Sequence, residues 1–348
     1  MSRLASALAG MVSPLVAAAP SLAAPSPAQI QARMPAVRLD GGNLFEVLAR
    51  HRGQVAMIAD RTYTEFDESQ RAIRYQERVL IRPADDKNGI RFNQSLTRIS
   101  GNFDAGTLKL KKKRYSLMAG TLFQFRDFRI HDPALARKNY FVVPMGAVFK
   151  LGRVLRVFDI YPKRPGLSLY RISVDAEHNV VLDQLRLSNR GYLQSVLSYG
   201  TLKLGKQALF SSKQSWWTND NRVQVHRTLD QAAAELVFTP VLPKALPRGY
   251  RLHAIKTVFS PANGKKFLEL AYSDGIDIQF LIQSRQLASQ NLIKGPRKPE
   301  LTPVANLVVK RFRQGLSTQF WANYKGIEFL ALTTGQAGLP RILKSVLR

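Results

Sequence analysis

The pattern of apolar and polar positions changes period early in the chain and then keeps it. Asn43 to Arg50 follows Gly41-Gly42, with Leu44, Val47 and Leu48 on one face at a 3.6-residue spacing and Asn43 at the capping position; this predicts a short amphipathic helix. In Ile73 to Arg82 the period is two. Ile73, Tyr75, Val79 and Ile81 alternate with Arg74, Gln76, Arg78 and Arg82, and Glu77 breaks the apolar row. An apolar face backed by an arginine face predicts a half-buried strand of an antiparallel sheet.

The rhythm returns in Tyr170, Ile172 and Val174, and in Val180 to Leu187, where Leu185 and Leu187 face away from Gln184 and Arg186. It continues in Tyr192 to Leu204. Asp175 to Asn179 and Ser188 to Gly191 are polar turns between these runs, so the three form a meander. Ser116 to Phe125 is a helix candidate that a strand would fit as well. Ser211 to Arg222 is polar apart from Trp216 and Trp217, and Pro240, Pro243 and Pro247 follow, which predicts a linker over 214–246 holding a short helix, Leu229 to Leu236. Beyond it, Asn263-Gly264 and Asp274-Gly275 separate alternating runs and predict two hairpins with type I′ turns. Leu301 to Arg313 and Thr318 to Leu332 add at least two strands, and Pro340 to Arg348 has the spacing of a terminal helix.

The expected organisation is a leader or tail over 1–27, a large β domain over 28–213, the linker, and a small α+β domain over 247–348. A chain of 348 residues buries roughly 75% of its unfolded surface, enough for two such domains. Residues 1–27 run from Arg3 through an apolar stretch, Leu4 to Val16, to small residues ending Ser21-Leu22-Ala23-Ala24. That is the layout of a secretory signal; a disordered Ala/Pro/Ser tail is the alternative. No window reaches the ~18 consecutive apolar residues of a membrane span.

Candidate chemistry is sparse. Without cysteine, the chain has no disulfide, thiolate metal site or Cys nucleophile. The five histidines form no i, i+4 pair, and there is no G-x-S-x-G elbow, Walker loop or dinucleotide glycine fingerprint. Asp85-Asp86 reads as a turn, and His131-Asp132 lacks an assignable nucleophile. The expectation is no enzyme, no catalytic residue, no metal and no cofactor. Charge adds more. Lys and Arg number 52 against 24 for Asp and Glu, a net +28, densest at Lys109, Lys111, Lys112, Lys113 and Arg114, with Arg153 and Arg156 among the other candidates for holding a polyanion. No helix-turn-helix, zinc finger or aromatic RNA-binding pattern accompanies it, so export leaves the envelope surface and not nucleic acid as its target.

Several segments carry a family likeness: Asn139-Tyr140-Phe141-Val142-Val143-Pro144, Gly152-Arg153, Val157-Phe158-Asp159-Ile160-Tyr161-Pro162, Tyr170 to Asp175 and Val181-Leu182. Two more in the second module are Leu246-Pro247-Arg248-Gly249-Tyr250-Arg251-Leu252 and Ala271-Tyr272-Ser273-Asp274-Gly275. From about Leu44 to Leu347 the chain resembles the MucB/RseB family of periplasmic sigma-factor regulators, whose larger domain is similar to the lipoprotein carriers LolA and LolB. The resemblance implies an α+β, mostly antiparallel fold: an unclosed, curved half-barrel sheet plugged by helices, plus a small α+β domain. It implies binding of the periplasmic domain of an anti-sigma factor, release under envelope stress, and lipid, lipopolysaccharide or lipoprotein acyl chains as ligands. A half-open barrel leaves a hollow, and its expected lining is Ile73, Tyr75, Val79, Ile81, Tyr170, Ile172, Val174, Leu185 and Leu187; Tyr272 to Gly275 is assigned to hairpin geometry. The leading reading is a periplasmic, non-enzymatic anti-sigma-factor-binding regulator that senses an amphiphilic envelope ligand. The alternatives are a carrier of lipid or lipoprotein acyl chains and a polyanion-binding protein.

Overall fold

The computed structural model describes residues 40–50, 55–66, 70–83, 91–101, 127–210, 216, 222–260, 264–285, 300–304, 307–314, 317–333 and 339–346. The segment 1–27, the lysine run at 109–114, the Ser116 to Phe125 candidate and Asp85-Asp86 lie outside them.

The described residues form two eight-stranded antiparallel sheets, neither closed on itself. The first contains β1 (Met57–Phe66), β2 (Ala72–Arg82), β3 (Arg91–Gly101), β4 (Tyr140–Lys150), β5 (Arg153–Pro162), β6 (Leu169–Asp175), β7 (Val181–Leu187) and β8 (Leu193–Leu204), in the order β3-β2-β1-β8-β7-β6-β5-β4. Two meanders are thus joined by the β1–β8 pairing, with β3 and β4 at the edges. Helix α1 (Leu44–Arg50) and helix α2 (Pro133–Asn139) cover the β4–β6 end. Asp40 Oδ1 accepts from the amides of Gly42 and Asn43 ahead of α1, and Asp132 Oδ1 caps α2 by accepting from Leu135 N at 2.9 Å, with Pro133 just inside. Leu44, Phe45, Leu135 and Ala136 are buried by this packing.

The second sheet contains β9 (Arg222–His226), β10 (Arg251–Ser260), β11 (Lys265–Ser273), β12 (Ile278–Ser284), β13 (Glu300–Val304), β14 (Leu307–Gln314), β15 (Ser317–Tyr324) and β16 (Ile327–Thr333), in the order β13-β14-β15-β16-β12-β11-β10-β9. Its apolar face packs under α3 (Leu229–Ala233) and α4 (Leu339–Val346), with Leu268, Leu281, Phe320 and Phe329 meeting Ala232, Ile342, Leu343 and Val346.

Three expectations change. The segment expected as a linker carries β9, which pairs with β10 as an edge of the second sheet, and the helix inside it is a single turn capped by Thr228. The Ser273-to-Ile278 connection is a four-residue loop and not a two-residue type I′ turn, because Asp274 Oδ1 accepts from the amides of both Ile276 (2.9 Å) and Asp277 (2.7 Å). Two-residue turns with both φ angles positive occur at Leu151-Gly152 and Lys325-Gly326, where the first position is neither Asn nor Asp.

Candidate functional site

Pairing register decides which side chains share a face, since directly opposed residues of antiparallel strands point the same way. One row runs Phe158, Ile172, Gln184, Leu197, Tyr63, Tyr75, Ile99 across β5, β6, β7, β8, β1, β2 and β3. The next runs Ile160, Tyr170, Arg186, Ser195, Glu65, Ile73. We call this the inner face; α1 and α2 pack on it. Seven of the nine expected lining residues lie on it. Tyr170, Ile172 and Val174 join the cluster under the helices, while Ile73, Tyr75, Val79 and Ile81 join a second cluster with Met57, Tyr63 and Leu197. Leu185 and Leu187 are on the opposite face: Leu185 is opposed to Arg171 and Leu187 to Leu169, and they pack with Tyr161 and Leu193. The alternation in β7 is as expected, but its polar members, Gln184 and Arg186, are the ones turned inward and buried.

A band of polar groups therefore interrupts the inner face, Arg61 and Glu77 within the second cluster and Gln184 and Arg186 on β7 between the two. Arg61 Nε donates to Glu77 Oε2 at 2.8 Å with both side chains fully buried; Arg61 also contacts Asp127 and donates to Tyr199 OH at 3.3 Å. Glu77, the break in the apolar alternation of β2, is thus the buried counter-ion of Arg61. Burial opposes the Arg61 charge, but Asp127 and Glu77 outweigh it and hold the guanidinium protonated, while burial lifts the Tyr199 phenol to about 12. Further along, Arg186 Nη2 donates to Asp277 Oδ2 at 2.6 Å, and its guanidinium lies 5.7 Å from the Tyr170 ring centroid. Ser168 Oγ is 3.2 Å from the same Asp277 oxygen, and Tyr170 OH donates to Oδ1. Beside these groups a small pocket opens, lined also by Asp127, Phe128, Arg129, His131, Gln184 and Ile276.

Asp277 belongs to the second sheet, so this end of the band is the joint between the two. The loop 274–277 inserts under α2. Ile276 is buried in the cluster that holds Leu44, Phe158 and Tyr170. Gly275 O accepts from His131 N (2.9 Å) and Asp132 N (3.3 Å), and Asp274 Oδ2 accepts from Tyr140 OH at 2.7 Å. Asn139 Nδ2 donates to both Asp274 O (2.8 Å) and Gly249 O (2.7 Å). Tyr250 packs against the cores of both units. Residues 246–252 and 271–275, the two segments that carry the family likeness of the second module, thus converge on one joint. The assignment of Tyr272 to Gly275 to hairpin geometry misses this role. Asp132 serves as the helix cap and pairs with Arg251, and the His131 ring sits edge-on to His253 at 5.8 Å, so the His131-Asp132 pair is structural.

Burial, and then the neighbouring Asp277 charge, raise the Asp274 carboxyl to about 7. With the folded pKa above the unfolded value, Asp274 contributes stability that is complete below about pH 4 and is lost as pH rises through about 7. Asp274→Asn, which keeps the acceptor for Ile276 and Asp277, is expected to raise stability at pH 8 by on the order of 2 kcal/mol and to flatten the pH 4–7 slope. Thermal unfolding of both proteins at pH 5 and pH 8 checks this; an unchanged slope in the variant would count against it.

Of the expected polyanion ligands, Arg153 and Arg156 are engaged internally. Arg153 Nη1 lies 3.1 Å from Asp175, 3.2 Å from Glu177 and 3.2 Å from His178 Nδ1, and Arg156 is buried. Asp175, Glu177 and His178 bring three metal-type donor atoms within 4.8 Å of one another, and the Arg153 guanidinium sits against all three. Among the described residues no helix is long and apolar enough to cross a membrane.

No protein-family model matches the chain, and no curated protein matches it in sequence. Solved structures do. A crystal structure of MucB aligns over 89% of this chain and 98% of its own at a TM-score of 0.53 and 14% identity. One of MucB in complex with MucA(peri) aligns over 88% and 97% at a TM-score of 0.50 and 15% identity. The chain has the MucB/RseB-like fold over both of its sheets.

Proposed function

We propose that this chain is an exported, non-enzymatic regulator that binds the periplasmic segment of an anti-sigma factor. The observation that carries the reading is the likeness to MucB through both sheets, in a fold that has been crystallised holding MucA(peri). The joint supports it as well: the segments of likeness in the second module are those that lock the two sheets together, which is where a partner spanning both would need a fixed geometry. Isothermal titration of the purified chain with the periplasmic segment of the anti-sigma factor from the same genome is expected to give a complex with Kd of about 1 μM or tighter. The same native preparation, sequenced from its N-terminus, is expected to start beyond residue 20. No heat and no co-elution at micromolar concentrations, or a retained Met1, would overturn the corresponding half of the reading.

The finer part is that the regulator senses an amphiphilic envelope ligand. Its support is the inner face, where apolar clusters flank a band of charged and hydroxyl groups, an arrangement that matches an acyl chain with a polar head.

A further inference from the structure

Asp277 is a carboxylate of the second module seated on donors that all belong to the first. Arg186 Nη2 at 2.6 Å and Ser168 Oγ at 3.2 Å meet its Oδ2, and Tyr170 OH meets its Oδ1. All three donors are more than nine-tenths buried, and their positions on β6, on β7 and just ahead of β6 are set by the register of the first sheet, not by Asp277. A guanidinium and two hydroxyls converging on one point are the chemistry that recognises an oxyanion. Next to them, in the pocket at the joint, the carbonyl oxygen of buried Gln184 has no hydrogen-bond partner. A buried acceptor left in that condition calls for a donor.

We propose that this is a binding site for a phosphate ester with a neighbouring hydroxyl, of the glycerophosphate kind, and that Asp277 is its built-in competitor. The phosphate takes the place of the carboxylate on Arg186, Tyr170 and Ser168, and the hydroxyl donates to Gln184. An acidic side chain from a protein partner would repeat the contacts of Asp277 and leave Gln184 unsatisfied. Because Asp277 fills the site, ligand binding and docking of loop 274–277 are mutually exclusive, and by linkage each weakens the other equally. A tethered competitor acts at a local concentration of millimolar order or above, so a small free ligand meets strong competition in the native chain.

The test uses the full chain, with glycerol 3-phosphate, inorganic phosphate and phosphatidylglycerol vesicles as probes. Asp277→Ser removes the carboxylate and Asp277→Asn keeps its shape. At least one of them, checked for folding by circular dichroism, is expected to bind glycerol 3-phosphate about tenfold or more tightly than the native chain. Adding Arg186→Gln abolishes the gain, and Gln184→Leu removes the preference for glycerol 3-phosphate over inorganic phosphate. A gain with vesicles as well identifies a lipid headgroup, and a gain with glycerol 3-phosphate alone identifies a soluble ester; only the lipid source rests on the sensing reading above. A folded variant with no gain, or one in which an acidic peptide gains as much, overturns the proposal. If neither variant folds, native chain titrated with vesicles decides: hydrogen exchange at the 275–277 amides is expected to rise, and unchanged protection overturns the site. Either failure leaves the anti-sigma-factor titration untouched.

Discussion

Gly275→Ala is expected to uncouple the two sheets while leaving each folded. Gly275 has φ +106°, in the region side chains avoid, and a Cβ there would stand 2.3 Å from the Ala136 nitrogen and 2.6 Å from its Cα. Those are backbone atoms of α2, so no rotamer change can relieve the overlap. α2 cannot retreat without breaking the bonds its ends make to the same loop, from His131 N and Asp132 N to Gly275 O and from Asn139 to Asp274 O. Backbone strain of about 1–3 kcal/mol and overpacking of a similar size put the cost at roughly 2–6 kcal/mol, and all of it falls on the joint. The second sheet keeps its own core of Leu268, Leu281, Phe320, Phe329 and Leu343. Calorimetry is therefore expected to resolve two transitions in the variant, and limited proteolysis to release two stable fragments. A single transition at the native temperature would show that the joint does not hold the sheets together as described.

The same joint marks where the sequence is legible and where it is not. Alternation in Ile73 to Arg82 and Tyr170 to Leu187 is visible because each strand buries alternate residues, and both became strands of the first sheet. Which face points inward is not written in alternation alone. In β7 the alternation reads as Leu185 and Leu187 turned inward, yet they lie on the opposite face and Arg186 is turned inward and buried, because the charge of Arg186 is met by Asp277, 91 residues away in sequence. The signal that existed was negative: Glu77 and Arg186 sit where a continuous apolar hollow would need apolar side chains. β9 reads as linker in the sequence because it is an edge strand whose Val223 and Val225 stay exposed, so it lacks the buried stripe that identifies a strand. The Asp-Gly signal at 274–275 did mark a chain reversal, but the Asp side chain built a wider loop, and that loop is what reaches the other sheet.

Arg61→Met is the second substitution with a large expected effect. Arg61 lies midway across the inner face, bonded to Glu77 at 2.8 Å where both side chains are shut off from water, and in contact with Asp127. Removing the cation leaves Glu77 buried without Arg61 as its counter-ion or forces it to take up a proton; breaking one partner of such a pair costs about 3–5 kcal/mol. The double variant Arg61→Met with Glu77→Leu removes both charges together. It is expected to recover most of the loss, since a buried ion pair exchanged for apolar side chains of similar volume is close to neutral in stability. Asp127, which keeps contact with solvent, can then be hydrated. Urea unfolding of the three proteins at pH 7 separates this from simple packing loss, because a packing defect would make the double variant worse than the single. The double variant would also make the cluster of Tyr63, Tyr75, Ala59 and Val79 continuous across β1 and β2, so stronger retention of a phosphatidylglycerol acyl chain by it than by the native chain would show that the buried ion pair limits how far the hollow admits lipid.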